Sequence, residues 1–187
     1  MSLSYRVSLE VQEVISADDK TIHQLELRDI LTQEEMRELL KDALVERGFE
    51  QGDGETLTRQ ADTGEHTVVD LETLEVTTTL ERTSEVSGKV DAWGDAETRA
   101  GAKNQAERSA QRQAEAMVER GRADAQSRVS QRLAEGDGAR LEEMNNVLQG
   151  VYAEALKRKA RRLGDVVEQH EGTNEQGEYE LVIKVEL

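Results

Sequence analysis

The stretch that decides the fold is residues 31–48, which read LTQEEMRELLKDALVERG. Thr32 is a good N-cap residue, and Glu35 follows it by three positions, so the pair predicts a capping box at the start of a helix. Gly48 predicts the end of the helix. The apolar residues between these signals share one helical face: Met36, Leu39, Leu40, Ala43 and Leu44. The stretch therefore predicts one amphipathic helix over 32–47, packed on another layer.

Alternating apolar and polar residues, the period of half-buried strands, lie on both sides of this helix. Before it, two alternating runs flank residues 17–20 (ADDK), which predict a turn and hence an antiparallel hairpin. After it, the polar stretch 51–64 predicts a loop, and strand signals run from Val68 to Gly94. The end of the chain predicts a second β-hairpin, whose turn is residues 173–177 (TNEQG).

A long helical pattern separates these strand regions. Small and apolar residues recur in it at spacings of three or four: Ala102, Ala106, Ala110, Ala114, Met117, Gly121, Ala125, Val129 and Leu133. Such a stripe predicts the close approach of a second helix. Gly136-Asp137-Gly138 predicts a break, and a second helical pattern continues to Gly164. Residues 95–164 are therefore expected to form an antiparallel helical hairpin.

These patterns predict an α+β fold with an antiparallel sheet of about five or six strands, one packed helix and a long antiparallel helical hairpin. Residues 1–187 are expected to form a single domain, since this length can bury one sizeable core. Residues 1–94 and 165–187 would supply the sheet with the helix at 32–47. Residues 95–164 would supply the helical hairpin.

Composition narrows the classes of function. The chain has no cysteine, which excludes disulfides and thiolate metal sites and favours a cytoplasmic location. No apolar run approaches the roughly 18 residues that span a bilayer, and the first residues lack the pattern of a signal peptide. The formal net charge of −16 disfavours binding to nucleic acid or to an anionic membrane. A basic protein partner is the natural complement of such a charge.

Charge is distributed unevenly along the chain. Residues 96–164 hold 14 Lys and Arg against 10 Asp and Glu, whereas the rest of the chain holds 10 against 30. The candidate partner-binding residues are the basic ones within a short stretch of predicted helix: Lys157, Arg158, Lys159, Arg161 and Arg162. They could bind an acidic partner, RNA or a phosphorylated protein. The structural alternative is that they complement the macrodipole at a helix C-terminus.

The sequence offers no catalytic, cofactor-binding or metal-ligating motif. The histidines His23, His66 and His170 have no ligand-like spacing, and structural or surface roles are expected for them. No nucleophile elbow, phosphate-binding loop or dinucleotide fingerprint is present. No cofactor is therefore predicted. The single tryptophan, Trp93, is expected to anchor the core where strand passes to helix.

Several short motifs near the end of the chain carry a resemblance to a known family. They are Tyr152-Ala153, Leu156-Lys157, Lys159-Ala160 and Leu163-Gly164, followed by GEYELVIK at 177–184. The chain resembles a small uncharacterised family that occurs in cyanobacteria, other bacteria and plastids as a hypothetical chloroplast reading frame. Members also carry an aspartate–tryptophan segment comparable to Asp91 and Trp93, although Ala92 separates the two residues here and the alanine-rich helix is extra. Some related proteins look like accessories encoded beside AAA-type ATPases.

Three functions compete on this basis. The first is a non-enzymatic interaction or assembly protein that acts through its helical hairpin or a sheet edge, with a protein partner or a second copy, in an AAA-type ATPase system. The second is an enzyme of unknown type that uses carboxylates and a histidine in a cleft between helix and sheet. The third is an acidic decoy that mimics nucleic acid. A pocket with converging carboxylates and a histidine would favour the enzyme.

Overall fold

The computed structural model describes residues 2–173 and 179–186. Over these residues the elements are β1 (Leu3–Gln24), α1 (Gln33–Glu46), β2 (Glu50–Gln51), β3 (Thr56–Gln60), β4 (Glu65–Asp70), β5 (Glu75–Ala96), α2 (Arg99–Leu163), β6 (Asp165–Thr173) and β7 (Tyr179–Glu186). Five strands form an antiparallel sheet in the order β1-β5-β4-β3-β2, and β6 and β7 form a separate two-stranded sheet. The α+β prediction is confirmed. The turn predicted at 173–177 lies, beyond its first residue, outside the described residues.

The chain divides into two compact units. Unit 1 is Met1–Lys20 with Thr79–Glu135, and unit 2 is Thr21–Thr78 with Gly136–Leu187. Strands β1 and β5 and helix α2 each contribute residues to both units. Each unit has hydrophobic clusters of its own.

Helix α1 begins as the sequence predicts. The amide of Glu35 donates to the Thr32 hydroxyl at 3.4 Å, and the amide of Thr32 donates to the Glu35 carboxylate at 3.2 Å. The reciprocal capping box is therefore confirmed. After the last turn, Gly48 has a φ of 83°, a left-handed conformation that favours glycine. Phe49 is buried directly after it.

The core of unit 2 lies under α1. Its buried residues come from α1, from the C-terminal half of α2 and from the sheet, and they include Met36, Leu39, Leu40, Leu44, Leu57, Val69, Val76, Met144, Val147 and Val151. The apolar face predicted for α1 is therefore a core face.

The small-residue stripe of α2 packs in unit 1, but its partner is a sheet rather than a helix. Ala110 belongs to a buried cluster with Val90 and Ala92 of β5, and Val7 and Val11 of β1 pack against that cluster. Small side chains let a helix backbone approach a strand closely. The prediction that the stripe is a packing surface is confirmed, whereas the prediction that a second helix packs on it is wrong, because strands β1 and β5 do.

The predicted helical hairpin is not present in the described residues. Helix α2 continues through Gly136-Asp137-Gly138, where a break was expected. The Asp137 carboxylate lies 2.7 Å from His23 Nε2 and 3.4 Å from Arg140 Nη2. Glycine in a helix interior costs only about 1 kcal/mol relative to alanine, which such contacts can offset.

The turn predicted at residues 17–20 is also wrong, because β1 runs through it as one strand. Ala17 is buried in a cluster of unit 1, so the alternation of the strand persists there. The Asp19 carboxylate accepts a hydrogen bond from Ser130 Oγ at 2.5 Å, and Gln126 Nε2 donates to the Asp18 carbonyl at 2.8 Å. These tertiary contacts override the local turn signal.

Two further expectations differ from the structure. The stretch 51–64, predicted as a loop, contains β3, whose Leu57 is fully buried and pairs with Val69. Trp93, expected in the core, is 61% exposed on a strand, with the Arg6 guanidinium 5.7 Å from its ring. Its position on the outward side of β5 explains this exposure.

Candidate functional site

The predicted partner-binding residues all lie in the last two turns of α2: Lys157, Arg158, Lys159, Arg161 and Arg162. Lys159 and Arg161 are exposed and form no ion pair with any described residue. Arg158 Nε lies 3.5 Å from Glu154 Oε1, one helical turn earlier. The stretch therefore presents two unpaired cations, and the other three basic residues are held by the protein itself.

Arg162 binds the capping residue of α1. Its guanidinium donates to both oxygens of Glu35, which also accepts from Thr32. The hydrogen bond from Arg162, followed by the bonds from Thr32, lowers the pKa of Glu35 to about 2. One carboxylate thus joins the end of α2 to the start of α1.

Glu35→Gln is expected to reduce stability at neutral pH and to make almost no difference near pH 2. The pKa of Glu35 lies below its ordinary value of 4.5 in the folded state, so its ionised form stabilises the fold above that value. This contribution is lost as the pH falls towards about 2. Urea denaturation of both proteins across this pH range measures it, with Glu34→Gln in the same helical turn as the control. A difference that stays constant down to pH 2 would contradict the assignment.

Lys157 binds the two-stranded sheet of β6 and β7, here called the C-terminal β-hairpin. Its Nζ lies 2.5 Å from Glu171 Oε2, and Tyr179 Oη donates to Glu171 Oε1 at 2.7 Å. The hydrogen bond from Lys157 is the main cause that lowers the pKa of Glu171. Partial burial, with the bond to Glu171, raises the pKa of Tyr179 to about 12. This contact links the basic stretch to the C-terminal β-hairpin.

The C-terminal β-hairpin leaves apolar side chains exposed. None of its described residues is buried, although eight residue pairs define its register. Val167 and Val182 are each nearly half exposed, and neither outer edge has a neighbouring strand in the described part of the chain. Its described residues carry five acidic side chains against one lysine.

A cavity of about 260 Å³ lies in unit 2 between α2 and the sheet. Its apolar wall includes Leu25, Val76, Met144 and Leu148. Its polar wall includes His23, Arg59, Arg140 and Glu143, together with the buried threonines Thr67 and Thr78. The cavity therefore brings a histidine and a carboxylate into one cleft, as the enzyme hypothesis requires.

Most of the ionisable side chains that line this cavity are bound to other protein groups. Arg59 donates to both oxygens of Glu143, at 2.6 and 2.7 Å, and its guanidinium lies 4.5 Å from the Phe49 ring. The bond from Arg59 lowers the pKa of Glu143. The bond from His23 likewise lowers the pKa of Asp137. Arg140 lies 3.3 Å from Glu65. These ion pairs offset the charges of Arg59, Arg140 and Glu143.

Sequence reasoning missed this cavity. The partners His23 and Asp137 are 114 residues apart, and Arg59 and Glu143 are 84 apart, so no local spacing connects them. Asp137 also lies in Gly136-Asp137-Gly138, a stretch whose sequence predicts a break in the helix. Among residues 2–173 and 179–186, no group of three or more His, Asp or Glu side chains could hold a metal ion.

The model of one protein family, FtsH ternary system domain X5, matches residues 1–187. The chain belongs to this family. No curated protein and no solved structure matches it. Membership of this family is consistent with a place as an accessory partner of an AAA-type protease system.

Membership of this family agrees with one part of the resemblance described in the sequence analysis and leaves another part without support. The likeness to a small accessory family associated with an AAA-type protein agrees with the FtsH ternary system domain X5 family, whereas the likeness to a plastid reading frame is not shown. In the portion of this family member that the structure describes, neither helix is apolar enough over a sufficient length to cross a bilayer.

Proposed function

We propose that the chain is a non-enzymatic accessory protein that docks onto a component of an AAA-type protease system through its C-terminal β-hairpin. The observation that carries this proposal is the absence of any buried residue among the described residues of that hairpin. An isolated two-stranded hairpin is only marginally stable in water. A partner that covers β6 and β7 would supply the packing that a third strand or a helix normally provides. The family supports the nature of the system.

The chemistry of the hairpin indicates what kind of surface would bind it. An extended segment could add to either open edge by main-chain hydrogen bonds, with Val167 and Val182 filling apolar pockets. The excess of acidic side chains on the hairpin favours a basic partner surface. Lys159 and Arg161 are proposed to form a second contact, with acidic groups of the same partner. They belong to the same basic stretch as Lys157, which binds Glu171 of the hairpin.

The cavity in unit 2 is a weaker basis for a function than the C-terminal β-hairpin, because charged groups that line it are paired with other protein groups. Each of these side chains already binds a protein group: His23 binds Asp137, Arg59 binds Glu143, and Arg140 binds Glu65. General acid or base catalysis requires a group placed to exchange a proton with a substrate. The accessory function therefore explains more of the described surface than the enzyme hypothesis does.

Affinity purification from the native host tests the proposal. The wild-type chain is expected to recover the FtsH-type protease or another component of its system. Val167→Lys is expected to reduce this recovery by about tenfold or more, because a buried charge opposes apolar docking to a basic partner. Val45→Lys is the matched control, since Val45 is 51% exposed on α1 and Val167 is 49% exposed on the hairpin.

Two results would contradict the proposal. One is equal recovery of the system by Val167→Lys and by the wild type, which would remove the hairpin as the docking surface. The other is recovery, by a folded wild-type protein, of partners that include no component of an AAA-type protease system. Circular dichroism of each variant checks that folding is unchanged.

A further inference from the structure

Strand β1 is a long edge strand. It has 22 residues, and the sheet order places it at one end, so its outer edge has no neighbouring strand in the described part of the chain. Such an edge presents unpaired amide and carbonyl groups to any other strand. Proteins commonly protect edges with proline, very short strands or charged side chains. β1 is long and has no proline, so charges such as Arg6 and Glu10 decide which strands can pair with it.

A groove with both apolar and charged walls runs beside this edge in unit 1. It is lined by the consecutive residues 9–13 of β1 and, on α2, by Ala114, Val118 and the charged residues Glu115, Glu119 and Arg122. Because consecutive strand residues point to opposite faces, a groove that touches all of them opens on the strand edge. Leu9 is 38% exposed there, although its alternation places it on the same side as Val7 and Val11.

We propose that two copies of the chain form a symmetric dimer by antiparallel pairing of their β1 strands, centred on Ser8. In this register Arg6 of each copy lies opposite Glu10 of the other, which gives two attractive charge pairs. Val7 lies opposite Leu9 of the other copy on the face towards α2. A two-fold axis makes every contact occur twice, as in other isologous interfaces.

The charges favour this register over its neighbours. Centres at residues 7 and 9 would place Arg6 opposite Ser8 or Gln12, so both Arg–Glu pairs would be lost. Centres at residues 6 and 10 would place two Arg6 or two Glu10 side chains opposite each other. Glu10 forms no ion pair with any described residue, so it is available to another copy. Arg6 contacts Asp91 at 2.8 Å, but half of its side chain is exposed and its guanidinium has further donors.

The groove and the charges together point to a second copy rather than to an unrelated peptide. In the antiparallel direction β1 is complementary to its own sequence. On the charged face Arg6 lies opposite Glu10, and on the apolar face Val7 lies opposite Leu9. Pairing would cover Leu9 and the groove beside Val118, and it would remove the open edge from solvent.

Sedimentation velocity over a range of protein concentrations tests the dimer. The wild type is expected to dimerise, and Glu10→Arg is expected to raise the dissociation constant by about tenfold or more, because two Arg–Arg contacts replace two Arg–Glu pairs. The double variant Arg6→Glu/Glu10→Arg is expected to dimerise again. An equimolar mixture of Arg6→Glu and Glu10→Arg is expected to form a mixed dimer. Glu81→Arg, the same charge change on the exposed face of β5, serves as the control.

Three results would overturn the proposal. They are a wild type that stays monomeric at all concentrations, a Glu10→Arg variant that dimerises as strongly as the wild type, and a folded double variant that remains monomeric. Because Arg6→Glu also faces Asp91, circular dichroism must show that variant to be folded. If the Arg6→Glu variant is not folded, the comparison of Glu10→Arg with Glu81→Arg alone decides whether the dimer forms through β1.

Discussion

Gly94→Ala is expected to destabilise the protein by about 3 kcal/mol or more, which is at the upper end for overpacking. A Cβ atom at this position would lie 2.1 Å from the carbonyl oxygen of Ala102 and 2.5 Å from the amide nitrogen of Ala106. Both neighbours are backbone atoms of α2, so no side-chain rotation can make room. The helix would have to move away from β5, and the small-residue packing of unit 1 would open.

Urea denaturation followed by far-UV circular dichroism measures this loss. Gly150→Ala is the matched control, because a Cβ at Gly150 meets no atom within 4 Å. Alanine in a helix interior is favoured over glycine, so the control is expected to gain about 0.5–1 kcal/mol. If Gly94→Ala costs less than about 0.5 kcal/mol, within the range of ordinary surface changes, the close approach of β5 and α2 is not as described.

Leu40→Ala is expected to cost about 2–5 kcal/mol in the free energy of unfolding. Leu40 has no exposed surface and lies in the core of unit 2. Truncation removes apolar contacts and leaves a cavity that the surrounding residues can fill only in part. The loss in the free energy of unfolding depends, within this range, on how far α1 can move to fill the cavity.

Chemical denaturation of Val45→Ala gives the reference for this substitution. Val45 lies on the exposed face of the same helix, and its truncation is expected to change stability by no more than about 0.5 kcal/mol. Similar losses for the two variants would show that the face containing Leu40 is not a core face.

Local signals predicted α1 correctly, and they predicted part of the strand segments. The capping box, Gly48 and the apolar face of α1 act over a few residues, and the structure retains all of them. The strand signals from Val76 to Gly94 also lie in one strand, β5. These features depend on hydrogen bonding and burial of neighbouring residues, which a sequence displays directly.

The errors arose where distant contacts decide the local conformation. Asp19 and Asp137 both sit in stretches that resemble turns, yet each is held by a residue more than 100 positions away, Ser130 and His23. The same limit applies to the candidate site. The basic stretch was found because its residues are contiguous, whereas its pairing with Glu35 and the whole cavity depend on tertiary structure.

The division of each long element between two units has a consequence for synthesis on the ribosome. Arg6 meets its partner Asp91 across 85 residues of chain, so β1 emerges well before β5 exists to pair with it. At about 5–20 residues per second, this delay is on the order of 4–17 s. Unit 1 also needs Thr79–Glu135, which follow the first segment of unit 2. The nascent chain therefore carries β1 without its partner strand for seconds, and a chaperone that covers β1 in this interval would protect it from wrong pairing.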